Sequence, residues 1–138
     1  MRQTRSRLGC PQLSVFIAFC LTFLQCVPPA CAAQFSVFRK TYVRDADAPD
    51  TVTTAFSVLN PQTSWTLRAV NGSLEDTSVE KVSSSTVKLN GLDVLQPNHF
   101  NQNVNLIEVP VTVGFSNTVA TQVRIRPGGQ LTLELLGQ

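Results

Sequence analysis

Thr86-Val87-Lys88-Leu89-Asn90-Gly91-Leu92-Asp93-Val94 reads as two short strands around a tight turn. Asparagine and glycine tolerate the positive φ of a two-residue type I′ connection, so Asn90-Gly91 pins a β-hairpin. In that hairpin Val87 and Leu89 share a face with Leu92 and Val94. The same period of two continues on both sides. Upstream, Val52, Thr54, Phe56 and Val58 line one side of a segment that Asn60-Pro61 ends. Trp65, Leu67 and Ala69 point inward with Arg68 outward, before Asn71-Gly72, and Phe35 and Val37 open the segment from Phe35 to Arg44. Downstream, Ile107, Val109, Val111 and Val113 alternate with polar residues, and Pro110, which has no N–H to donate, belongs at an edge or bulge. Val119, Thr121, Val123 and Ile125 form the next inner face, Pro127-Gly128-Gly129 turns the chain, and Leu131, Leu133 and Leu135 close it.

Strands this short, evenly spaced and separated by turn residues predict an all-β fold. The expected architecture is an antiparallel β-sandwich of seven to eight strands filling residues 34–138 as one domain. The residues before it read differently. Arg2, Arg5 and Arg7 give a basic start, Leu13 to Cys26 is an uncharged apolar run, and Pro28-Pro29 breaks it. Ala30-Cys31-Ala32-Ala33 then offers the small residues a signal peptidase needs, which marks residues 1–33 as an export signal with Ala32 and Ala33 as the cleavage region. The apolar run is about 14 residues, short of the ~20 that a spanning helix needs, so no membrane span is expected in the mature chain. A lipid anchor at Cys31 is the minor variant, because Pro28-Pro29 stands where a leucine and a small residue are wanted.

All four cysteines (Cys10, Cys20, Cys26 and Cys31) fall within this leader. A secreted or periplasmic chain without them would hold together by packing rather than disulfides. Without Arg2, Arg5 and Arg7, eight basic residues face nine acidic ones, for a net charge of −1. Singly scattered charges give no electrostatic footprint for nucleic acid, which is therefore not an expected partner.

From Glu80 to Leu135 the chain carries Val82-Ser83-Ser84-Ser85-Thr86-Val87-Lys88-Leu89-Asn90-Gly91, then Pro97-Asn98-His99-Phe100-Asn101-Gln102-Asn103-Val104. Pro110-Val111, Asn117-Thr118 and Arg126-Pro127-Gly128-Gly129 follow, ahead of Leu131-Thr132-Leu133. With Trp65-Thr66-Leu67-Arg68 and Asn71-Gly72 upstream, this pattern resembles a module that recurs in exported proteins of environmental bacteria. The resemblance implies an immunoglobulin-like β-sandwich, often a part of larger cell-surface proteins, with no catalytic or ligand-binding residues to carry over. Trp65 departs from it by standing where a smaller aromatic is common. The hallmarks themselves have structural uses: Phe100 to plug the sandwich, and Asn101, Gln102 and Asn103 to satisfy loop backbone groups.

Chemistry is sparse. His99 is the only histidine, so no histidine pair for a metal exists, and no Gly-x-Ser-x-Gly elbow is present. Asp45, Asp47 and Asp50 are the best calcium candidates, yet Asp50 and Phe56 stand where an EF-hand loop needs its glycine and glutamate. Glu75, Asp76 and Glu80 form a weaker acidic patch. Trp65 and Tyr42 could stack on sugars, but the phase of Trp65 with Leu67 makes it a core residue. Asn71-Gly72-Ser73 spells a glycosylation sequon. The expectation is therefore a non-enzymatic exported sandwich with no cofactor and no metal. It would be a monomer in a structural, binding or adhesive role toward a protein or polysaccharide partner, with a carbohydrate-binding module as the alternative. Arg39, Lys40 and Arg44 read as charge protection of an edge strand.

Overall fold

Asn90 and Gly91 adopt φ values of 52° and 83°, the left-handed pair that a type I′ turn requires. Their hairpin is one element of a computed structural model that describes residues 33–43, 51–124 and 128–138. The expected leader, except Ala33, lies outside these residues, as do Arg44, Asp45, Asp47, Asp50, Ile125, Arg126 and Pro127. Eight strands make up the described chain: β1 (Phe35–Val43), β2 (Thr51–Ser57), β3 (Trp65–Asn71), β4 (Ser84–Leu89), β5 (Leu92–Leu95), β6 (Leu106–Val111), β7 (Ser116–Arg124) and β8 (Gln130–Gly137). A single turn of 3-10 helix, Pro97–His99, follows β5.

The pairing is that of a chain folded in half. β1 pairs with β8, β2 with β7, β3 with β6 and β4 with β5, all antiparallel. Two further pairings, β3 with β8 and β4 with β7, gather these ribbons into two four-stranded sheets, β1-β8-β3-β6 and β2-β7-β4-β5. A long hairpin rolled up in this way is a jelly roll. The chain is thus the all-β antiparallel sandwich that its periodicity predicts. Immunoglobulin domains share the two-layer architecture with a different strand order.

Between the sheets lie Trp65, Leu67 and Ala69 of β3, Val87 and Leu89 of β4, Val119 and Val123 of β7, and Leu131, Leu133 and Leu135 of β8. β8 is also buried on its outer face, at Thr132 and Leu136, because β1 and β3 flank it on both sides. Phe100 is buried from the connection after the 3-10 turn, as expected of a plug.

Two inner faces differ from simple alternation, and a bulge explains each. A shift in register between Ser36 and Phe38 makes Val37 the extra residue, so Phe38 and Tyr42 lie in the core, while Phe35, at the strand's start against Trp65, is 48% exposed. A second, between Val87 and Lys88, aligns Val87 with Leu95. Leu95, in place of Val94, is therefore fully buried, while Leu92 keeps its place opposite Leu89 beside the turn and is 74% exposed. One extra residue in a strand reverses the facing of every side chain beyond it.

Candidate functional site

The residues best suited to chemistry are engaged in holding the loops. Asn71 is fully buried at the end of β3. Its Oδ1 accepts the Val82 N–H at 2.6 Å. Its Nδ2 faces the carbonyls of Val82, Asn101 and Val104 at 2.9, 3.2 and 3.1 Å. With two hydrogens for three acceptors, one of those bonds is shared. A single side chain thereby ties β3 to both long connections, and a glycan on this amide is incompatible with the fold. Asn117 joins the Asn90-Gly91 turn to the connection before β7. Its Oδ1 accepts Asn90 Nδ2 at 2.9 Å and the Gly114 N–H at 2.8 Å, while Asn90 Oδ1 accepts the Thr118 N–H at 2.9 Å. Read in sequence, these asparagines mark turns; nothing local reveals that their amides span separate strands.

His99 ends the 3-10 turn, exposed, with its Nδ1 accepting the Gln96 N–H at 3.1 Å. Asn101 Oδ1 accepts the Asn103 N–H at 2.8 Å, the loop role expected of it. Trp65 is 4% exposed, donates from Nε1 to the Asn60 carbonyl at 3.3 Å, and meets the Phe35 ring edge-on at 5.7 Å between centroids. Tyr42 is 5% exposed, and its hydroxyl has no partner among the described residues. Neither ring forms a platform toward solvent. In the acidic patch, the Ser78 hydroxyl and N–H donate to Asp76 at 2.6 and 2.8 Å and hold its carboxyl below the ordinary aspartate range. Glu75 lines a recess of about 200 Å³ beside Arg39, Gln130, Thr132 and Glu134. No three metal-ligating side chains converge among the described residues.

The sheet edges remain accessible. The first sheet ends at β1 and β6, the second at β2 and β5. Three of these four strands carry a known deterrent to further pairing. β6 contains Pro110, at an edge as its missing N–H requires, and Glu108. β5 has only four residues, with Asp93 paired to Lys88 at 2.9 Å. β1 carries Arg39 and Lys40.

Lys40 shares the inner face with Phe38 and Tyr42. Its ammonium crosses the mouth of the sandwich to Thr54 Oγ1 of β2 at 2.8 Å and lies 5.4 Å from the Tyr42 ring centroid. Phe38 and Phe56 meet beneath it at 5.0 Å. β2 itself, Thr51-Val52-Thr53-Thr54-Ala55-Phe56-Ser57, has no charge, no proline and an unbroken register with β7. A recess of about 600 Å³ lies over the paired ends of β2 and β7, on the side away from β2's free edge, lined by Ala55, Ser57, Asn90, Ser116 and Thr118. Phe115 and Leu59, both exposed, stand at the same end, where the Val58 N–H meets the Phe115 carbonyl at 3.0 Å.

Comparison with protein-family models, with curated proteins and with solved structures finds no match. No helix among the described residues is long and apolar enough to cross a membrane.

Proposed function

We propose that this chain is an exported, non-catalytic β-sandwich that works by binding, as a monomer, a protein or polysaccharide of the bacterial envelope or its surroundings. The observation that carries the reading is how its polar side chains are used. Asn71, Asn90, Asn117 and Asp76 are engaged in loop hydrogen bonds, and His99 closes a turn. Among the described residues, the sheet edges and loop ends face outward, and these suit recognition better than acid-base work. The proposed address follows from residues 1–33 as a signal cleaved at Ala32 and Ala33. The bacterial module that the hallmark segments resemble supports the same address.

A carbohydrate-binding reading would have to rest on the polar recess beside Arg39 and Glu134, since Trp65 and Tyr42 are buried. Expression with the full leader tests the proposal. Intact mass of the exported protein should begin at Ala33 or Gln34, and the protein should be captured by an envelope fraction. A mass retaining the leader would overturn the address, a diacylglyceryl adduct at Cys31 would replace release by anchoring, and turnover of a substrate would overturn the non-catalytic reading.

A further inference from the structure

Among the described residues, β2 is an edge strand that itself carries none of the usual blocking devices. It is seven residues long, uncharged, without proline and paired with β7 in regular register. Along its free side the backbone groups ask for an extended strand, the partner that edge templates select. The charge beside this edge indicates which strand. Lys40 Nζ sits 2.8 Å from Thr54 Oγ1, at the central residue of β2, and on the inward side of the sheet.

A second copy of this chain fits poorly. Antiparallel pairing of β2 with itself in full register sets Thr54 against its twin at about 5 Å. The two Lys40 ammoniums would then face each other across the two-fold axis on the same side of the sheet, a like-charge contact. A strand from another protein, with a carboxylate at its central inward position, would instead meet Lys40 with complementary charge.

We infer that β2 is a docking edge that accepts an extended segment of a partner protein, uncharged apart from a central acidic residue that faces Lys40. The inference rests on the binding reading above and names its surface and partner.

The test uses the exported protein and three labelled peptides of alternating valine and threonine, with glutamate, glutamine or lysine at the centre. Binding is followed by fluorescence anisotropy, and the site by hydrogen exchange. The expected order is glutamate, then glutamine, then lysine, with exchange protection gained by amides of β2. Lys40→Glu, checked for folding by circular dichroism, should weaken the glutamate peptide about five-fold and favour the lysine peptide, as expected for a partly exposed charge pair. Ala55→Lys, outward on the same edge and away from the core, should weaken all three. Protection confined to other strands or to loops would overturn the edge and leave the binding reading standing. Equal affinity of the three peptides would overturn the role of Lys40. Protection of β2 by self-association alone would make the occupant a second copy.

Discussion

Replacing Asn71 by alanine should remove more stability than any other change outside the apolar core. The side chain is fully buried and makes bonds to both long connections. Truncation strands the Val82 N–H, held at 2.6 Å, and removes the donor shared by the Val82, Asn101 and Val104 carbonyls. An orphaned buried donor or acceptor costs about 1–3 kcal/mol, with N–H groups at the upper end because a carbonyl can satisfy a second lone pair elsewhere. One N–H at about 2–3 kcal/mol and the carbonyls at about 1–2 kcal/mol together give a loss of roughly 3–5 kcal/mol. That is a large share of the ~5–15 kcal/mol typical of a domain. Urea denaturation of Asn71→Ala and wild type, with equal slopes, measures the difference. Asn71→Asp discriminates further: it keeps the acceptor for Val82 but turns a carboxylate toward three carbonyls, so it should be no better than alanine near neutral pH. A loss below about 1 kcal/mol in Asn71→Ala would refute the reasoning, since it would mean that the freed groups find other partners at no cost.

Two other outcomes follow from the same structure. Trp65→Ala should cost roughly 3–5 kcal/mol, read by the same denaturation, because it empties a buried aromatic site under Phe35; a folded Trp65→Ala that loses only polysaccharide binding would refute the core assignment. Asp76 titrates below its ordinary range because the Ser78 hydroxyl and N–H bind the charged form. Its stabilisation is therefore present above about pH 4 and is lost as pH falls through the lowered folded-state value; the urea midpoints of Asp76→Asn and wild type should differ above that range and converge below it.

Alternation along Thr51–Ser57, Trp65–Asn71 and Ser116–Arg124 was legible because a half-buried strand must change face at each residue. So was the turn at Asn90-Gly91, where the positive φ needed is a property of two adjacent residues. Burial of Trp65 followed from the same phase. These local facts were enough for an antiparallel sandwich, and they determined nothing about which strands pair. Apart from β4 with β5, every pairing joins strands that are not neighbours in sequence, and a strand's inner face reads the same in any order of the sheet. The jelly-roll order therefore emerged only from tertiary structure. So did the bulges that put Phe38 in place of Val37 and Leu95 in place of Val94 in the core, since each is set by the partner strand's register. The candidate surface belongs to this second class. Thr51–Ser57 shows in sequence as one more alternating strand, and Lys40 as one more charge. Only the rolled arrangement leaves β2 at an edge and carries the Lys40 ammonium across to Thr54, because an edge and a contact between sheets are relations among distant segments.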